Sequence, residues 1–152
     1  MPGIEDIYRR FPRGTLDRIM KIEGPVLKAI ADNRTGRFIV RKVTHGGLGR
    51  VGIQFARMTG LLEGRAPIAL AMGMLRYFFE PILEEVSADE SKAVFALTSC
   101  PYGWSPEGDE AICDAVMDLE RELVSGMGAT LVIEERIPQG APKCRFTLSV
   151  KS

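Results

Sequence analysis

The sequence lacks a surplus of charge of either sign, because its 152 residues include 20 lysines and arginines and 20 aspartates and glutamates. A nucleic-acid-binding surface needs a basic surplus to neutralise phosphates, so we expect no nucleic-acid partner. Long apolar runs are also missing. The longest, over residues 66–75, contains Pro67 and Gly73 and falls short of the ~20 residues that cross a bilayer. Without a secretory pattern at the N-terminus, we expect a cytoplasmic protein that has no membrane-spanning helix.

Histidine and cysteine are scarce: His45 is the single histidine, and there are three cysteines. An odd number of cysteines without an export signal predicts reduced thiols or metal ligands rather than disulfides. No Cys-x-x-Cys pair is present, so the spacing differs from that of a zinc finger. What the sequence does contain is 45% hydrophobic residues, enough for the core of one domain over residues 1–152.

Apolar residues at helical spacing predict a mainly helical part over residues 1–86. Thr15 is expected to be the N-cap of a helix that Gly24-Pro25 breaks or kinks. Residues 37–43 fit a strand or the start of a helix, and the glycine-rich run at 45–49 should interrupt the chain. Ala66-Pro67 is expected to open a long apolar helix that reaches about Val86, at the centre of the core or at a dimer interface.

The remaining part, residues 92–152, reads as strand, helix and hairpin. Strands are predicted over 92–99, 129–137 and 143–150, with a helix over 107–125, and the last two strands should pair as an antiparallel hairpin. The predicted fold class is therefore α+β, with a helical N-terminal half packed on a small antiparallel sheet. The acidic residues of the 107–125 helix, including Glu120, are most simply assigned to a solvated face.

Three cysteines should come together in this second part. Cys100 ends its first strand, Cys113 lies in the first turns of the helix, and Cys144 begins the last strand on the face that should pack on the helices. Converging thiolates can bind zinc or an iron–sulfur cluster, but buried cysteines are also common as small hydrophobic residues. A third possibility is nucleophilic or redox use of Cys113, whose thiolate a helix N-terminus would favour.

The motifs around these cysteines resemble a known family. They are Leu97-Thr98-Ser99-Cys100-Pro101, Ile112-Cys113-Asp114, Val132-Ile133-Glu134-Glu135 and Gly140-Ala141-Pro142-Lys143-Cys144-Arg145-Phe146. Together they resemble the C-terminal half of the 4-vinyl reductase domain (hydrocarbon-binding) family and, equally, the related L-2-amino-thiazoline-4-carboxylic acid hydrolases. The match covers about 60 of the 152 residues.

The resemblance implies an α+β fold like that of TRAPP-type trafficking subunits and haem-based nitric oxide sensors, in which homodimers are common. It also implies a pocket for an apolar or tetrapyrrole-like small molecule near the cysteines. A metal there could be zinc or an iron–sulfur cluster, with Cys100, Cys113 and Cys144 as its ligands.

Three functions are compatible with these observations. The first is a small-molecule binding or sensing domain. Its pocket would be lined by Met74, Phe78 and Met117, with Tyr102 and Trp104 as an aromatic wall beside Cys100.

The second is a hydrolase that uses Cys113 or a metal-activated water as nucleophile. His45 or Asp114 would then act as the base. The third is a structural or assembly module that dimerises through the helix expected over residues 66–86.

Overall fold

The structure, a computed structural model, describes residues 4–152, apart from the side chains at positions 4, 44, 45, 46 and 48. It is an α+β fold in which a helical N-terminal half packs on a four-stranded antiparallel sheet. The predicted fold class is therefore confirmed.

Six α-helices lie within the described part of the chain. They are α1 (Ile4–Tyr8), α2 (Thr15–Ile30), α3 (Arg34–Arg41), α4 (Arg50–Met58), α5 (Pro67–Phe79) and α6 (Glu110–Gly126). Helix α2 runs through Pro25 without ending there, so the expected break is absent. Thr15 is its first helical residue, and Gly14, at a φ of 81°, occupies the N-cap position predicted for Thr15.

The glycine-rich run at 45–49 also differs from expectation. A π-helical segment, Lys42–Gly49, connects α3 directly to α4. The chain is therefore helical from Arg34 to Met58, and the segment over 37–43, for which the sequence left strand and helix open, is helical. A π-turn makes a looser hydrogen-bonded ring than an α-turn, which lets a helix continue through residues that favour a break.

The sheet contains β1 (Leu83–Ala88), β2 (Lys92–Leu97), β3 (Ala129–Glu135) and β4 (Cys144–Val150), in the spatial order β1-β2-β4-β3. Every neighbouring pair is antiparallel, including the predicted hairpin of β3 and β4. A short 3₁₀ turn, Ile137–Gln139, joins these last two strands.

The helix expected over residues 66–86 is wrong in its second part. Helix α5 ends at Phe79, and residues from Leu83 onward form the edge strand β1. Pro81 has no N–H to continue the helical hydrogen bonds, and the backbone beyond it pairs with β2 instead.

Helix α5 belongs to the core rather than to an exposed interface. Ile68, Ala71 and Met72 are buried against sheet residues that include Phe95 and Leu148. Exposed apolar side chains occur instead on α2, on α4 and on the helical segment between them. A homodimer stays a prediction, but the helix proposed to form its interface is buried within the chain.

Candidate ligand-binding cavity

A cavity of about 560 Å³ lies between the helices and the inner face of the sheet. Its wall is formed by α2, α4, α5, α6, the loop after β2, and the strands β2, β3 and β4. Most of the wall is apolar. Its exposed members Ile19, Glu23 and Gly52 place the opening between α2 and α4.

The five side chains assigned to an apolar pocket all lie on this wall. Met74 and Phe78 come from α5, Met117 comes from α6, and Tyr102 and Trp104 come from the loop after β2. The two aromatic rings of the loop stack on each other, with 4.4 Å between their centroids and an interplanar angle of 10°. The structure thus brings these residues together around one space.

The loop that carries Cys100 and the aromatic pair is fastened to α2. The indole Nε1 of Trp104 donates a hydrogen bond to the carbonyl oxygen of Gly24 at 3.1 Å. A Cβ on Gly24 would lie only 2.1 Å from the Tyr102 carbonyl oxygen. Glycine at this position therefore allows the two backbones to approach closely.

An ion pair between an exposed lysine and a buried aspartate fixes the far end of the same loop. The Nζ of Lys28, on α2, lies 2.7 Å from Oδ1 of Asp109, and the N–H of Ser105 donates to Oδ2 at 2.9 Å. Burial by itself would raise the pKa of Asp109, but these hydrogen bonds outweigh it, and the pKa is lowered. The carboxylate is therefore ionised at neutral pH and holds the loop against α2.

The three cysteines converge on this cavity, as predicted from their positions. Cys113 and Cys144 are buried, Cys100 is half-buried, and all three line the wall. The Sγ of Cys144 accepts a hydrogen bond from the N–H of Ile137 at 3.3 Å. Cys144 is paired with Leu97 on the neighbouring strand, and Leu97 lies three residues before Cys100. This register brings the two cysteines to the same end of the sheet.

Cys113 and Cys144 are protonated thiols in this environment. Burial raises the pKa of Cys113 to about 11, although Arg136 acts in the opposite direction. Burial also raises the pKa of Cys144. The expectation that the helix N-terminus would favour a Cys113 thiolate is therefore wrong, because desolvation is the larger effect.

In the described residues, no group of three or more histidine, cysteine, aspartate and glutamate side chains is arranged to hold a metal ion. A zinc or iron–sulfur site at the cysteines stays a prediction. Of the two bases proposed for catalysis, the side chain of His45 lies outside the described residues. The other, Asp114, is absent from the cavity wall and forms a hydrogen-bonded ion pair with Arg136.

Arg136 is a wall residue that the sequence did not single out. Its guanidinium lies beside Cys113 and is held by Asp114, by Oε1 of Gln139 at 3.2 Å and, more distantly, by Glu110 at 3.9 Å. Its charge is thus balanced by acidic groups of α6. Glu110 and Asp114 lie one helical turn apart, but this spacing alone does not identify Arg136 as their partner.

Glu120 is the second wall residue that was missed, because the sequence assigned it to a solvated face. Its half-buried side chain lines the cavity, and burial raises its pKa. Helical spacing contains a signal for this placement. Cys113, Met117, Glu120 and Val124 follow one another at intervals of four, three and four residues, which is a single face of a helix.

In the described residues, no helix is long and apolar enough to cross a membrane. Comparison with family models and with curated proteins finds no match.

Among solved structures, the chain is similar to subunit 3 of a trafficking protein particle complex from Naegleria fowleri, described as covalently bound to palmitic acid. The TM-score is 0.52 at 11% identity, and the match covers 90% of this chain and 95% of that one. This likeness concerns the fold, and it confirms the TRAPP-like architecture that the family resemblance implied.

Proposed function

We propose that this chain binds an apolar small molecule in the cavity between its helices and its sheet. The cavity itself carries the proposal. A volume of about 560 Å³ falls in the range of small-molecule pockets, which is roughly 300–1,000 Å³. Transfer of an apolar ligand from water into an apolar cavity of this size lowers the free energy, which favours binding.

Two further observations support this function. The wall includes methionine and aromatic side chains, which adapt to apolar ligands of varied shape. The similar trafficking subunit is described as covalently bound to palmitic acid, so another protein of this fold carries an acyl chain. An elongated apolar molecule is therefore the ligand class that we propose.

Hydrolysis has less support from the contacts. Burial raises the pKa of the Cys113 thiol to about 11, whereas a nucleophilic cysteine needs a lowered pKa. Asp114 is held by Arg136. The hydrolase and the assembly module stay predictions from the sequence.

Trp104 gives a direct test of binding, because it is the single tryptophan of the chain and lies on the cavity wall. Titration with 1-dodecanol should change its fluorescence in a saturable way. Ala56→Phe places a ring at the cavity wall from α4 and should weaken binding by about tenfold or more, the effect of losing about 1.4 kcal/mol.

The matched control is Ala111→Phe, on the exposed surface of α6 and away from the cavity. It should bind dodecanol as the unmodified chain does. Circular dichroism of both variants verifies folding. A fluorescence response that fails to saturate, or one equally strong in folded Ala56→Phe, would show that dodecanol does not occupy the cavity.

A further inference from the structure

Glu120 introduces a carboxyl group into a cavity that is otherwise mostly apolar. It lies on α6, between Met117 and Val124 along the stripe that lines the cavity. Burial raises its pKa, and no hydrogen bond or charge among the described residues offsets that effect. An uncompensated polar group in an apolar wall costs free energy unless something else binds it.

A second acidic group lies in the same region. Glu23, on α2, lines the opening of the cavity. Burial is the main cause that raises the pKa of the Tyr102 hydroxyl, and the negative charges of Glu120 and Glu23 raise it further. Both carboxyl groups therefore act on one phenol, and this phenol marks where the negative charge of the cavity is concentrated.

Within the described part of the cavity wall, no unpaired cation balances this negative charge. Of the cavity-lining residues that the structure describes, Arg136 is the one cation, and its guanidinium is already held by Asp114 and Gln139. An anionic group of a ligand would thus meet uncompensated carboxylates near Tyr102. A cationic group would meet those carboxylates and the stacked rings of Tyr102 and Trp104, whose faces attract cations.

We propose that the ligand bound in this cavity is an amphiphile with a protonated amine, and that Glu120 pairs with the amine while the apolar part fills the remaining space. This inference rests on the binding function proposed above. A charged hydrogen bond between an ammonium and a carboxylate is strengthened where water is excluded, and it supplies Glu120 with its missing partner. Specificity then comes from the polar group, and most of the affinity from the apolar chain.

Three probes with the same alkyl chain length separate the contribution of the charged group from that of the apolar chain. They are dodecylamine, 1-dodecanol and dodecanoate, each titrated at about pH 8 by Trp104 fluorescence. Dodecylamine should bind about tenfold or more tightly than dodecanol, because opposite charges are complementary, and dodecanoate should bind most weakly. In Glu120→Gln the affinity for dodecylamine should fall to that for dodecanol, so that the preference for the amine disappears. Glu107→Gln, in the exposed loop before α6, is the control and should keep the preference.

Equal binding of amine and alcohol, or tighter binding of dodecanoate, would overturn the amine assignment while dodecanol binding still supports an apolar cavity. A preference that persists in Glu120→Gln would remove Glu120 from its recognition. Absence of saturable binding for all three probes would overturn the proposed function and this inference together.

Discussion

At the scale of single residues, Glu120 affects the energetics of the cavity through the cost of ionising its carboxyl. Its carboxyl is more costly to ionise in the folded chain than in water, because burial raises its pKa. Folding therefore favours the protonated form. The free energy of unfolding should be lowered once the pH rises above the ordinary carboxyl pKa of 4.5, and the penalty should level off above the raised folded-state pKa.

Glu120→Gln removes this penalty, since glutamine has a similar shape and no ionisation. We expect the variant to be more stable than the unmodified chain at about pH 8, by about 1.4 kcal/mol for each pKa unit by which burial raises the carboxyl. The difference should vanish near pH 4. Urea unfolding at several pH values measures it.

Glu107→Gln serves as the matched control, because its carboxyl lies in an exposed loop. It should show no such pH-dependent gain. A Glu120→Gln variant that is less stable than the unmodified chain at pH 8, but not at pH 4, would mean that the carboxylate has a stabilising partner.

Prediction from the sequence worked best for residues whose chemistry is visible in their type. Met74, Phe78 and Met117 were assigned to a pocket because they are large and apolar, and the structure places them on its wall. Glu120 was missed because a glutamate in an amphipathic helix most often faces water. Only the helical stripe shared with Cys113 and Met117 distinguishes it.

At the scale of elements, the loop after β2 is positioned by its fit to α2. The close approach at Gly24, the Trp104 hydrogen bond and the Lys28–Asp109 ion pair act together along this contact. The sequence marked Gly24-Pro25 as a helix break, since both residues disfavour helices. Tertiary packing overrides that preference, because the absence of a side chain at Gly24 lets the loop approach the helix closely.

Gly24→Ala should therefore destabilise the chain, although alanine is the better helix former. The added Cβ would lie 2.1 Å from the Tyr102 carbonyl oxygen, and relieving such a clash costs about 1–3 kcal/mol. Displacement of the loop should also shift the emission of Trp104 to longer wavelength. Thermal unfolding and fluorescence spectra measure the two effects.

Gly52→Ala is the matched control, because Gly52 lies in α4 and a Cβ there has no atom within 4 Å. Its stability should be unchanged or raised by about 0.5–1 kcal/mol from helix propensity. Equal stability of the two variants would contradict the tight contact between α2 and the loop.

The missed strand β1 has a physical reason. Five of its six residues are exposed, so it lacks the alternation of buried and exposed positions that identifies a half-buried strand. These residues follow the apolar helix α5 after only a short connector, so the sequence pattern predicts that the helix continues through them. At Pro81 the chain turns and leaves the helix to enter the sheet.

At the scale of the whole molecule, the cavity is a property of how two layers pack. Its wall takes residues from four helices, three strands and several of the segments that connect them. Sequence patterns predict which side chains turn inward. On β4 they predict Cys144, Phe146, Leu148 and Val150; the first three are buried, whereas Val150 is exposed at the end of the strand. Such patterns cannot predict whether the layers meet without a gap, because that depends on the distance between helices and sheet.

The central claim is that this gap between the layers is a binding site. A crystal structure of the chain with 1-dodecanol tests the claim most directly. We predict continuous density for the alkyl chain between α5, α6 and the sheet, in contact with Met117 and Trp104. Density for the alcohol only on the exposed apolar side chains of α2 and α4, with the space between the layers closed by side chains, would contradict it.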